Sequence, residues 1–141
     1  MATINASINI TSDIPYSGFS LSKTMTMTKA GTATGIENSN GLGVKKLAAT
    51  TAVVLELAAD ATASGANKLY IRNTGSNKAE HVKISFNASA SADTTTENIG
   101  KLYGGDWMLI PWEANGTTHN VIAAPSTADE VTTIEYMTFH E

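Results

Sequence analysis

The sequence predicts an all-β domain, a sandwich or barrel of antiparallel strands. Three observations carry that expectation. Apolar and polar residues alternate in short runs, the period of a strand with one buried face. Gly, Pro, Asn and Asp interrupt these runs about every ten residues, as in all-β sandwiches. No run keeps the spacing of an amphipathic helix.

The first run sets Ala2, Ile4, Ala6, Ile8 and Ile10 on one face and Thr3, Asn5, Ser7 and Asn9 on the other. Asp13, Pro15 and Gly18 mark a turn. Phe19, Leu21, Met25 and Met27 then alternate with Ser and Thr in a second strand, which forms a hairpin with the first or an extended arm. KAGTATGIENSNGLG, residues 29–43, reads as loop with one short strand at most and only Ile36 and Leu42 to bury. In VKKLAATTAVVLEL, residues 44–57, helix competes, but Thr50, Thr51, Val53 and Val54 are β-branched and favour two short strands.

After a loop at ADATASGAN come LYIRN, residues 69–73, and HVKISF, with Val82, Ile84 and Phe86 inward and Lys83 and Ser85 outward. A Ser, Ala and Thr-rich loop at 87–98 leads to NIGKLY, a turn at Gly104 and Gly105, and WMLIPW. A turn at Asn115 and Gly116, HNVIAA, a loop from Pro125 to Asp129 and a terminal EVTTIEYMTFH complete the chain. The Gly-rich stretch separates N-terminal strands or an arm, with that loop, at 1–43 from a sandwich domain at 44–141.

A chain of 141 residues is long enough to bury a core as one domain. Charged residues are only 16% of it, against roughly 25% in typical soluble domains, so Ser, Thr, Asn and Gly supply the polar surface. Such a surface lacks the Lys and Glu that discourage packing against neighbours. A net charge of −4, with no basic patch, argues against nucleic-acid binding. Cysteine is absent, which excludes thiolate chemistry and disulfides. The N-terminal residues show no basic and apolar signal-peptide pattern, and no segment approaches a membrane span, so the expectation is a protein without a cleaved leader or membrane partner.

Candidate chemistry is sparse. His81, His119 and His140 are scattered and follow no ligand spacing, so no metal site is expected. Glu97, Asp106, Glu113, Asp129 and Glu130 sit in no frame for paired-carboxylate catalysis, and the serines lack a nucleophile elbow. The spaced glycines of 31–43 have no strand-to-helix context for a phosphate. The sequons at Asn5, Asn9, Asn87 and Asn115 follow from a Ser/Thr-rich composition. The expectation is a protein with neither enzymatic activity nor a cofactor.

The stretch WMLIPW breaks the half-buried pattern. Trp107, Leu109 and Pro111 share one face of the strand, Met108, Ile110 and Trp112 the other, and both are apolar. The terminal strand repeats this with Ile134 and Tyr136 against Met137 and Phe139. If the two lie side by side, their outer faces make an apolar patch of the kind that marks subunit contacts. The expected interface comprises Trp107, Leu109, Trp112, Ile134, Tyr136, Met137 and Phe139, with one tryptophan in the contact and the other in the core. A carbohydrate platform of Tyr103, Trp107 and Trp112 competes with it, although the tryptophans are five positions apart and face opposite ways. A second surface is expected on the N-terminal arm, where Ile4, Ile8, Ile10, Phe19, Leu21, Met25 and Met27 form an apolar face suited to docking by strand addition.

LYIRNTG, the V-x-I-x-F strand, GKLYGGDWMLIPW and the closing TTIEYMTFHE together resemble small virion proteins of tailed bacteriophages, particularly capsid decoration or cement proteins. The likeness covers residues 69–141. It implies a jelly-roll-like β-sandwich without catalytic residues that binds the outer surface of a phage head. It also implies the major capsid protein as partner, a homotrimer, and location on the virion after synthesis in the host cytoplasm. The N-terminal third matches no pattern in that group. The alternative is a carbohydrate-binding or tail/neck adhesion module.

Overall fold

Every alternating run among the described residues is a strand. The computed structural model describes residues 3–48, 51–56, 58–61, 65–87, 98–115, 118–126 and 131–141. The chain divides into two compact units, Met1–Glu37 and Asn38–Glu141.

The first unit is a ribbon. β1 (Ile4–Ser12) and β2 (Phe19–Met27) pair antiparallel without a register shift, from Ile4 opposite Met27 to Ser12 opposite Phe19. Paired residues share a face, so the two alternations add. Ile4, Ala6, Ile8 and Ile10 stand with Met27, Met25, Lys23, Leu21 and Phe19, while Asn5, Ser7, Asn9 and Thr11 stand with Thr26, Thr24, Ser22 and Ser20. The polar face is laced by Thr26 Oγ1 donating to Asn5 Oδ1 at 2.8 Å and by a hydroxyl pair between Ser7 and Thr24 at 2.8 Å. In the connecting turn Tyr16 adopts φ 68°, a left-handed conformation uncommon outside glycine. At the foot, Ile36 N donates to Met27 O, and both side chains are buried.

The second unit holds two sheets. Its strands are β3 (Asn38–Ser39), β4 (Gly43–Leu47), β5 (Val53–Glu56), β6 (Lys68–Asn73), β7 (His81–Asn87), β8 (Asn98–Tyr103), β9 (Trp107–Pro111), β10 (Asn120–Pro125) and β11 (Thr132–His140). One sheet runs β5-β10-β7-β8; the other runs β3-β11-β6-β9, with β4 also on β11. All pairings are antiparallel. From β4 onward they nest, since β4 pairs β11, β5 pairs β10, β6 pairs β9 and β7 pairs β8. The two sheets share one core. Leu69, Ile71 and Ile134 of the five-stranded sheet join Val82, Ile84, Leu102, Val121 and Ala123 of the other, together with Trp112.

Several expectations are corrected by register. β9 and β11 are not side by side, because β6 pairs with both. The strand buried on both faces is β10: Val121 and Ala123 face the main core, while Ile122 and Ala124 lie under Ala52 and Val54. Ser85, expected to point outward into water, is buried opposite Ile122. Leu42 is exposed rather than buried. Residues 38–43, expected with the N-terminal segment, fall in the second unit, where β3 pairs β11. Most of the 87–98 loop, with Glu97, and most of the 125–129 loop, with Asp129, lie outside the described residues, as do Glu130 and Gly116.

Asn73 ties the second unit together. Its N–H donates to Asp106 O and its carbonyl accepts from Gly105 N, both at 2.9 Å. Its side-chain Nδ2 donates to Leu102 O of β8 at 3.0 Å, and Oδ1 accepts from Gly75 N at 2.9 Å. Beside it, a Cβ on Gly104 would stand 2.6 Å from Asn77 O and 2.7 Å from Gly75 O, both backbone atoms that cannot swing away. Only glycine lets the two turns close. Asn73→Ala deserts Leu102 O and Gly75 N, so urea unfolding will show a loss of about 1–3 kcal/mol for each group left buried without a partner. A change below about 0.5 kcal/mol, within the range of neutral surface substitutions, would show that water replaces the side chain.

Candidate functional site

Two surfaces among the described residues carry several of the exposed large apolar side chains. The first is the apolar face of the β1–β2 ribbon, where Ile8, Ile10, Phe19, Leu21 and Met25 are exposed and Ile4 is half-buried. Ile14 and Tyr16 extend it into the turn, both exposed. Met27, expected on this docking face, is buried at the foot. Lys23, opposite Ile8, is the one charge on this face. A two-stranded ribbon alone is at best marginally stable in water. In this one Ile8, Ile10, Phe19, Leu21 and Met25 remain exposed.

The second surface is the outer face of the five-stranded sheet. Register assigns its rows: Val44, Glu135, Arg72 and Trp107 lie across the sheet in one row, and Met137, Tyr70 and Leu109 in the next. Trp107 is 50% exposed and Val44 62%; Tyr70, Leu109, Met137 and Phe139 are half-buried. Arg72 Nη1 lies 3.9 Å from Glu135 Oε2, a loose pair in which Arg72 is exposed and Glu135 half-buried. Tyr70, Arg72, Gly105 and Trp107 line a shallow hollow on this face.

Of the seven residues expected at a subunit contact, Trp107, Leu109, Met137 and Phe139 are on this outer face. The other three turn inward. Trp112 is 1% exposed, with Nε1 donating to His119 O at 2.9 Å. Ile134 is fully buried, and Tyr136 pairs with Ile71 and packs against the core. Tyr136 lies over Gly43, where a Cβ would come within 2.6 Å of its ring. The platform of Tyr103, Trp107 and Trp112 is not formed either, since Tyr103 belongs to β8 in the other sheet and Trp112 is in the core. Val44, Tyr70, Arg72 and Glu135 escaped the sequence reading of this surface. The alternation of Leu69 and Ile71 with Tyr70 and Arg72 in LYIRN is the local signal that sets the latter two outward, but nothing in the sequence pairs them with Trp107 and Met137.

The polar candidates are dispersed. His81 packs against Tyr103 with ring centroids 5.2 Å apart and planes tilted by 49°, and burial, with Lys101 and Lys83 nearby, lowers its pKa. His119 Nδ1 meets Glu113 O at 3.0 Å, and His140 Nε2 donates to Asn40 Oδ1 at 2.9 Å. Among the described residues no three His, Cys, Asp or Glu side chains gather as a metal site. Asp106 Oδ2 accepts from Tyr103 N and closes the turn before β9.

A more ordered group links the two sheets. Asn40 Nδ2 donates to Glu56 Oε1 while its Oδ1 takes the bond from His140. Burial first, then the Asp60 carboxylate, raise the Glu56 pKa, and the Asn40 bond only partly offsets them. A carboxyl raised in the folded state contributes stability below its unfolded pKa of about 4.3. That contribution is lost as pH rises through the folded value. Glu56→Gln keeps an acceptor for Asn40, so its urea midpoint will exceed that of the wild type at neutral pH, and the gap will close toward about pH 4. An equal gap at both values would mean that Glu56 ionises in the fold as it does in water.

No protein-family model, curated protein or solved structure matches this chain.

Proposed function

We propose that the chain is a non-enzymatic virion structural protein of a tailed bacteriophage, a decoration protein that binds the outer surface of the head and stabilises contacts between major capsid proteins. The observation that carries this reading is the β1–β2 ribbon, two nine-residue strands with one hydrogen-bonded polar face and one bare apolar face. Main-chain pairing holds the ribbon in shape, and burial of Ile8, Ile10, Leu21 and Met25 on a partner supplies the affinity. Lys23 in the middle of that face selects a partner with a carboxylate at the matching point, since an amine buried without one is costly.

The second unit supports the finer reading of the fold as a jelly roll. Its nested pairings, first with last and so inward from β4 and β11 to β7 and β8, are those of one long hairpin wrapped into two sheets. Eight-stranded sandwiches of this kind occur in viral capsid and lectin domains. Fold alone does not assign function, so the ribbon and the sequence likeness carry the choice between them.

The test is co-sedimentation with empty heads of the virus that encodes the protein. Replacing Ile8, Ile10 and Leu21 together by Thr keeps β-propensity and removes much of the apolar face. Binding will fall at least about tenfold, equivalent to roughly 1.4 kcal/mol, while circular dichroism is unchanged. Undiminished binding by the triple variant, or none by the wild type, rejects the docking role.

A further inference from the structure

We propose that the outer face of the five-stranded sheet is a self-complementary contact on which a second copy of this chain packs, related by a two-fold axis running along the strands between β6 and β11. The register carries the inference. In the row Val44, Glu135, Arg72, Trp107, each residue comes from the next strand across the sheet. A half turn about an axis between the middle strands lays this row on its own reverse. Arg72 then meets the partner's Glu135, and Trp107 meets the partner's Val44. The row beside it obeys the same symmetry, since Tyr70 on β6 and Met137 on β11 are opposite one another and exchange places.

Charge and exposure agree with this occupant. Within one chain Arg72 and Glu135 are only loosely paired at 3.9 Å, which leaves donors of the guanidinium and lone pairs of the carboxylate for a neighbour. Trp107 and Val44, at the two sides of the row, keep half or more of their surface in water. A contact between two identical sheet faces is isologous, so this geometry gives a pair rather than the three-fold arrangement expected from sequence. Strands about 4.8 Å apart, with about 3.3 Å per residue, make such a face roughly 300–400 Å² per copy. Stable complexes bury roughly 800 Å² per partner. The pair is therefore weak and concentration-dependent in free solution.

This inference is independent of the capsid reading, because the purified protein alone tests it. Sedimentation equilibrium from about 10 µM to about 1 mM, the range of weak association, will show the 14.7 kDa chain rising toward twice that mass. Trp107→Glu, Arg72→Glu and Glu135→Arg will each remain at monomer mass over the same range, with unchanged circular dichroism. Two recombinations then isolate the axis. The doubly exchanged variant R72E/E135R will regain association, and an equimolar mixture of R72E with E135R will form a heterodimer although neither self-associates. A wild type monomeric at about 1 mM overturns the proposal. So does a trimer, or a pair that survives Trp107→Glu, because either places the contact elsewhere. Failure of the mixed variants to associate overturns the two-fold geometry even if the wild type dimerises.

Discussion

The second unit depends on the four hydrogen bonds of one buried asparagine. Asn73 ends β6, and its backbone holds the turn before β9 while its side chain reaches β8 and the loop that follows β6. Both polar backbone groups and both ends of the amide are used. An isosteric leucine would fill the space and satisfy none of these partners, and an aspartate would set a second acceptor against Leu102 O. The chain crosses between sheets at β6 to β7 and again at β8 to β9. One residue pins the beginning of the first of these with its side chain, and the second with its side chain at Leu102 and its backbone at Gly105 and Asp106. Gly104 works with it, because the loops it fastens approach to a distance that no Cβ permits.

The remaining architecture follows from where the sheets leave apolar groups. Nested pairing places β10 and β11 inside their sheets, and β10 is covered on its second face by Ala52 and Val54. Trp107 and Val44, on the outer face of the five-stranded sheet, are large apolar residues that stay exposed. The ribbon of the first unit presents a like situation, since alternation in both strands and an unshifted register collect its apolar residues on one side. Both surfaces suit contacts between proteins, and their chemistry differs. The ribbon carries a lone cation, which suits the acidic partner proposed for it. The sheet carries a cation beside an anion, which suits the proposed pairing with a second copy.

Asn40, Glu56, Asp106 and His140 have local structural partners. The Glu56, Asn40 and His140 chain links β5 to β11 through a loop residue, but its carboxyl is held toward the neutral form and its amide is occupied at both ends. It behaves as a joint between the sheets. The hollow beside Trp107 is open and shallow, with Arg72 and Tyr70 at its margin, and these groups belong to the rows proposed to meet a second copy.

The sequence by itself determined the strands and the face each residue takes, because alternation with period two is a local property that survives any tertiary arrangement. Phe19 through Met27, Leu69 through Asn73 and Val82 through Phe86 were legible for that reason, and so was the division of Trp107 and Leu109 from Met108 and Ile110. Which of two apolar faces meets the core is not local. Trp112, Ile134 and Tyr136 were placed at an interface because parity alone cannot tell inside from outside when both faces are apolar. Only the tertiary structure inserted β6 between β9 and β11, covered both sides of β10, and aligned Val44, Glu135, Arg72 and Trp107 into one row. The order of strands arises from pairings between segments dozens of residues apart, and no spacing within a single strand encodes them.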